Sequence, residues 1–467
     1  MDFTYNEFPI SVDLNTLKTY FDLRQCKLPK SLAKSFPLTT DEGGEGVAEV
    51  YQPKSLRHLV LDFFLENWCD TPIFKELAEQ KDRNYILGNL DVNLPLELLS
   101  AHIRDDFFWR KSYQQRWKTL YYRTHSYPCC PPRPATPPTL SKPCPAAQQK
   151  GKQVTKSWLN IYMERHLQEF IENLPTSEYE QEGVQTQVLD ICASYINQLE
   201  INYLQPSMDG NNDHIPLDFI LSNLPELRTL RLTYCTKTIG TQFYLGCNTM
   251  SRKDANILAK GLAQCHELVN FCFHNTTLEP YQLGLFAHSL DKGCHHLTAL
   301  SLEHCSLGDE GIRQFLSACN KESFGTLKYL DLTNNKITSE GAYIIARVIK
   351  NLHLEKISLR LNPIGSDGAA AIFGILDCLP MRNVDISGCS ITDTITLLFV
   401  NFLGHNRTLW YIDMSNNELG MHFGEQLLKV IGRNKCLKQL DLRNTGLTLE
   451  MCNKVKDILK ENFKNWD

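Results

Sequence analysis

Residues 327–337 read LKYLDLTNNKI, and residues 354–364 read LEKISLRLNPI. In both, apolar side chains occupy the first place and the places at +3, +5 and +10, with Asn at +8. Alternation across +3 to +5 is the period of a strand with one face turned inward. The spacing returns from Leu227, Leu268, Leu297, Met381, Leu409 and Leu437, the copy at Leu409 reading LWYIDMSNNEL. Successive copies are 41, 29, 30, 27, 27, 28 and 28 residues apart. Eight copies in register are not chance.

This is the leucine-rich-repeat signature, L-x-x-L-x-L-x-x-N/C-x-L, at the long end of its range. The +8 side chain turns inward to bond loop backbone that no strand ladder satisfies. Asn335, Asn362 and Asn417 suit that task, and Cys235, Cys305 and Cys389 are small buried substitutes. The rest of each repeat is long enough for a helix. Ser339-Glu340-Gly341 and Ser366-Asp367-Gly368 are expected to open two of them with capping residues, before AYIIARVIKN and AAAIFGILDC supply apolar helical faces. Strand and helix alternating at this period predict an α/β horseshoe with a parallel sheet. At this level the chain resembles the ribonuclease-inhibitor type of leucine-rich-repeat protein.

Five segments are expected. Residues 195–467 form the solenoid: about eight repeats, a degenerate leading one spanning Tyr195 to Leu204, and a C-terminal cap at NKVKDILKENFKNW. The 41-residue first step implies an insertion of about a dozen residues within Cys235 to Met250. Residues 157–194 are a helical connector, with Met163, Leu167, Phe170, Ile171 and Leu174 on one helix face. Residues 128–156 are a linker: Pro128 to Pro145 holds 8 of the 21 prolines, too many for a helix or central strand. Residues 50–127 form a small helical domain in which Trp109, Tyr113, Trp117 and Tyr121 recur every four residues along one side. Residues 1–49 are read as an extended arm.

Composition narrows the function. In 467 residues, 42% are hydrophobic and 22% charged, which suits a folded protein with a sizeable core. A net charge of −5 argues against a general nucleic-acid binder. The start, MDFTYNEFPISVDLN, lacks the basic and apolar regions of a secretory signal, and no apolar run is long enough to span a membrane. The 17 cysteines are then expected to be reduced thiols in an intracellular, soluble protein.

No catalytic motif appears, neither a phosphate-binding glycine loop nor a zinc-protease or C-x-x-C pattern, so neither enzyme activity nor a cofactor is expected. Cys294-His295-His296, near Cys265-His266 and His304-Cys305, is the best metal candidate. Repeat phase counts against it: Cys265, Cys294 and Cys378 share a position that is Phe324 elsewhere, so it reads as a packing position and no metal is expected.

Two surfaces are candidates for binding a protein. The +4 residues face the hollow of the horseshoe, and Asp331, Asp385, Asp413 and Asp441 give the last five repeats a carboxylate row, with Arg360 and Arg443 two residues along. Such a row can dock a basic helix or tail, although LDL is also a frequent form of the repeat itself. In the front domain, Trp109, Arg110, Lys111, Arg116 and Trp117 interleave aromatic and basic side chains suited to gripping an acidic protein surface. The plainer alternative is an aromatic core face with a solvated basic back.

The flanking sequence narrows the resemblance. NWCDTPIFKEL, LDVNLPLELLSAHIRDDFFWRKSYQQRW, SWLNIYMERHLQEFIENL, LDICASYINQLEINYLQP and LPELRTLRLTYCTKTIGTQFYL occur in that order. Over roughly residues 55 to 460 this combination resembles the T-complex-associated testis-expressed leucine-rich-repeat family, which supplies subunit five of the nexin–dynein regulatory complex. The resemblance implies a non-enzymatic structural or adaptor subunit in the axoneme of cilia and flagella. Its implied partners are the other subunits of that complex and the neighbourhood of the doublet microtubules, with neither nucleic acid nor membrane. It carries over no catalytic residue. Two alternatives stay open: a soluble cytosolic leucine-rich-repeat adaptor or inhibitor, and a small-GTPase activator of the kind that acts on Ran, disfavoured by the want of a long acidic tail after the repeats.

Overall fold

The computed structural model describes residues 54–118, 156–174, 183–204, 213–234, 249–318, 324–377 and 379–464. The expected arm, the linker as far as residue 155, the insertion at 235–248, and Tyr121, Cys235 and Cys378 lie outside them. No helix among the described residues is long and apolar enough to cross a membrane.

The chain divides into two compact units. In described residues the front unit comprises 54–118, 156–166 and 186–192. The repeat unit comprises 167–174, 183–185 and 193–464.

The front unit is helical: α1 Leu56–Glu66, α2 Gln80–Asn89, α3 Leu96–His102 and α4 Asp106–Trp117, with the first half of α5, Trp158–Asn173, and most of α6, Val184–Cys192. The helical spacing that runs through residues 94–122 is interrupted. Asp105 caps a new helix by accepting hydrogen bonds from the backbone N–H groups of Phe107 (2.9 Å) and Phe108 (3.1 Å). Two of the four orphan donors of α4 are thereby satisfied, so one run of sequence becomes α3 and α4. The core of this unit is Ile86, Leu99, Ile103, Phe108, Trp109 and Met163, all buried.

The repeat unit is built on nine parallel strands in sequence order, the first a one-step extension beyond the eight regular repeats: β1 Gln198–Ile201, β2 Thr229–Leu232, β3 Asn270–His274, β4 Ala299–Glu303, β5 Tyr329–Asp331, β6 Lys356–Ser358, β7 Asn383–Asp385, β8 Tyr411–Asp413 and β9 Gln439–Asp441. The leading segment at Leu199 is therefore a true repeat strand. Register pairs Leu199, Leu230, Phe271, Leu300, Leu330, Ile357, Val384, Ile412 and Leu440 in one continuous row. Every member is buried. Each such side chain contributes about 1.5–3 kcal/mol by leaving water.

Between the strands lie α7 Asp218–Ser222, α8 Arg252–Leu262, α9 Pro280–Gly293, α10 Gly308–Ala318, α11 Ser339–Ile349, α12 Gly365–Leu376, α13 Thr396–His405 and α14 Gly420–Val430. A last helix, α15 Leu449–Lys464, follows β9 and buries Val455 and Leu459. Consecutive helices pack side by side, and the last residue of α9 shows how closely. A Cβ on Gly293 would stand 2.6 Å from the Ala263 carbonyl oxygen, so only glycine fits there without movement.

The capping expectations need correction. Ser339 is the first residue of α11, and the cap is Thr338, whose hydroxyl accepts from the Glu340 N–H. Ser366 lies inside α12, which has no side-chain cap. Its hydroxyl instead accepts from the Thr392 N–H of the next repeat at 3.0 Å. At both helix starts a bond to a neighbouring repeat, Thr338 to Asp309 and Thr392 to Ser366, sets the arrangement.

Candidate partner-binding surface

The inward +8 residues close the loops that shape the open face of the sheet. Asn362 is fully buried. Its Oδ1 accepts from the N–H groups of Asn335 (2.8 Å) and Ile337 (3.1 Å) in the preceding repeat. Its Nδ2 donates to the carbonyls of Leu332 (2.8 Å) and Leu359 (2.9 Å). Asn417 does the same for Cys389, Ile391, Ile386 and Met414. Each asparagine therefore fastens its own repeat to the one before it. Cys389 and Cys305 donate only a thiol hydrogen back, to the Leu359 and Phe273 carbonyls. Burial pushes the Cys389 thiol up to about 12, so it stays protonated. Cys265 and Cys294, from the metal candidate, likewise donate to helix carbonyls, those of Gly261 and Leu262.

One position earlier, the chain turns left-handed in every described regular repeat from β3 onward. Asn275, His304, Asn334, Leu361, Gly388, Asn416 and Asn444 all have φ between 49° and 62°. Asn and Gly suit that backbone, while Leu361 is a bulky residue in a region such residues seldom adopt. The sequence carries this signal in its Asn-Asn pairs at 334–335 and 416–417, whose first members, Asn334 and Asn416, take the left-handed turn.

The +4 residues do align. Arg231, Cys272, Ser301, Asp331, Ser358, Asp385, Asp413 and Asp441 are register partners in turn, on the face opposite the buried row. Their carboxylates are largely occupied by their own loops. Oδ1 of Asp331, Asp385, Asp413 and Asp441 accepts the N–H two residues on, at Thr333, Ser387, Ser415 and Arg443, within 2.9–3.1 Å. Thr333 and Ser387 add their hydroxyls to the same oxygen, and Tyr411 donates its hydroxyl to Oδ2 of Asp413 at 3.0 Å. Burial, with Glu303 beside it, pushes Asp331 up to about 6. Burial also raises Asp385, with Asp413 adding to the effect.

The +6 residues stand further out. The ladder continues past the strands: the N–H groups of Leu361, Gly388 and Asn416 donate to the carbonyls of Ser387, Ser415 and Arg443, each at 2.8 Å. Arg360, Ser387, Ser415 and Arg443 are thus neighbours in one row. With Asp413, Asn416 and Asn444 they line a hollow of about 330 Å³. Both arginines are exposed, and both serines are buried.

The front-unit candidates are placed differently from one another. Trp109 is fully buried and donates its indole N–H to the Ile103 carbonyl at 2.9 Å. Trp117 and Trp109 each pack on Tyr162, with ring centroids 5.0 Å apart in both pairs. Arg116 lies over the Trp117 ring at 4.8 Å and donates to the Tyr162 hydroxyl at 3.0 Å. Lys111 donates to the Gly88 carbonyl at 2.6 Å. Of the five, Arg110 alone is exposed, 5.6 Å above the Trp158 ring. The aromatic stripe of α4 is thus a core face, completed by Tyr162 from a distant stretch of sequence.

Comparisons with known proteins agree with this architecture. The Leucine Rich repeat family profile matches residues 293–315, 326–346 and 350–373. Dynein regulatory complex subunit 5 of Macaca fascicularis is 25% identical over 281 residues, covering 55% of this chain and 49% of that protein. The protein of the same name from Chlamydomonas reinhardtii is 25% identical over 227 residues, 48% of each. A NACHT, LRR and PYD domains-containing protein 3 from Rattus norvegicus is 32% identical over a shorter stretch, 31% of this chain and 14% of that protein. The chain spans about half the length of the dynein regulatory relatives it matches. This chain is a leucine-rich-repeat protein similar to Dynein regulatory complex subunit 5.

Proposed function

We propose that the chain is a non-enzymatic adaptor subunit of an axonemal dynein regulatory complex, helping to link doublet microtubules and regulate ciliary and flagellar bending. The observation that carries this reading is the similarity to subunit 5 proteins of two organisms, over about half of this chain. The repeat unit supplies a fitting device. Stacked parallel strands, each fastened to its neighbour by backbone and asparagine bonds, make a stiff scaffold that transmits force between partners docked on it. The open face, with Arg360, Arg443 and the four aspartates, is the docking surface of this reading, and Arg110 on α4 offers a smaller contact.

Salt washing of detergent-demembranated motile cilia tests the assignment. The protein is expected to stay with the microtubules and to disappear together with other regulatory-complex subunits in mutants that lack them. Release into the detergent-soluble fraction would favour a free cytosolic adaptor.

A further inference from the structure

The hollow at the C-terminal end of the open face has a hydrogen-bonding balance opposite in sign to its carboxylate row. Its acceptors are engaged: Asp413 takes the Ser415 N–H on one oxygen and the Tyr411 hydroxyl on the other. Its donors are not. The guanidinium of Arg360 has no hydrogen bond or ion pair among the described residues. Arg443 meets Asp441 through Nε (2.9 Å) and Nη2 (2.7 Å), which leaves Nη1 without a partner among those residues. Asn444 uses its amide on Asn416 at 3.0 Å, and one amide hydrogen remains over.

Spacing gives the hollow its width. Arg360 and Arg443 are separated by three strand steps, about 14 Å at the backbone. Between them stand only Ser387 and Ser415, both small and buried, so nothing fills the space over which the two long side chains reach. A guanidinium presents a planar fork that matches a carboxylate with two parallel hydrogen bonds.

We propose that this hollow takes an acidic segment of a partner protein, whose Glu or Asp carboxylates are held by the open fork of Arg360 and by Nη1 of Arg443. The inference rests on the reading of the open face as a docking surface, and it reverses the charge expected of the partner from the aspartate row alone. The aspartates hold the loops in shape, and the arginines at the rim meet the ligand.

The test uses the purified full-length chain and a fluorescent glutamate-rich peptide, read by anisotropy, beside a counterpart with lysine in place of glutamate. The glutamate peptide is expected to bind, and Arg360→Gln or Arg443→Gln to weaken it about tenfold. Arg347→Gln removes the same charge from the exposed side of α11 and is expected to leave binding within about twofold. Arg360→Lys, which keeps the charge and loses the fork, is expected to fall between. No binding of the glutamate peptide, or equal loss with Arg347→Gln, would overturn the proposal. Preference for the lysine peptide would overturn it while keeping the face as a docking surface. The assay needs no cilium, so its outcome is independent of where the protein resides.

Discussion

The two units of this chain bury polar side chains in contrasting ways. In the repeat unit a set of interior polar groups recurs with the period of the fold and serves the backbone: Asn335, Asn362 and Asn417 bond the loops of the repeat before them. The front unit has no such period, and two of its buried polar side chains stand among aromatic rings: Trp109 through its indole N–H, and His166 stacked on Tyr162. A periodic interior spreads one bonding scheme over many equivalent sites. An aperiodic one depends on a few large side chains that no neighbour duplicates.

Substitution at the two kinds of site should expose that difference. Asn362→Ala strands three buried backbone groups, at Asn335, Ile337 and Leu332, and leaves the Leu359 carbonyl with the Cys389 thiol. We expect a loss of about 5 kcal/mol, from about 1–3 kcal/mol for each unsatisfied group, visible as a lower denaturation midpoint of the repeat unit. Trp109→Ala empties the front-unit core and should cost about 4 kcal/mol, followed by the near-ultraviolet circular dichroism of the aromatic cluster.

Two buried groups, one in each unit, answer acid with opposite sign. Burial holds His166 down at about 3, against an ordinary 6.5. The folded front unit therefore keeps this ring neutral while the unfolded chain binds a proton, so its contribution is complete above pH 6.5 and is lost as the pH falls. At pH 4.5 the loss is about 3 kcal/mol, and His166→Leu should remove that part of the acid limb. Asp331 runs the other way. Its carboxyl is raised to about 6, so the folded state binds the proton more tightly, and its contribution is present below about pH 4 and lost as pH rises through 6. Asp331→Asn keeps an acceptor for the Thr333 N–H. It should stabilise the repeat unit at pH 7 by about 2 kcal/mol and flatten the pH profile between 4 and 6.

The smallest effect separates the two kinds of loop closure within the repeats. Cys389→Ala removes one thiol bond to the Leu359 carbonyl but leaves the Cys389 N–H on Asn417. The expected cost is about 1 kcal/mol in chemical denaturation, well short of the asparagine substitution.

What could be read in the sequence follows from the same contrast. Parallel strands in sequence order bring equal repeat phases side by side, so spacing alone determined the buried row from Leu199 to Leu440, the asparagine positions and the alignment of the aspartates. The neighbour that each residue will meet is already written one period away. Spacing could not say what a side chain at an aligned position would be bonded to. Asp331, Asp385 and Asp413 have an oxygen taken up by the loop two residues on, a local closure that depends on the left-handed turn after each strand. Thr338 rather than Ser339 caps α11 because Asp309, from the preceding repeat, accepts the Thr338 N–H and hydroxyl. The front unit has no period to consult. Trp109 and Arg116 find their place against Tyr162, more than forty residues further along the chain, and only tertiary packing brings those rings together. Local chemistry determined the solenoid because its contacts repeat at a fixed interval. Tertiary structure decided which charges remain free for a partner, because that depends on which donors and acceptors the fold has already used.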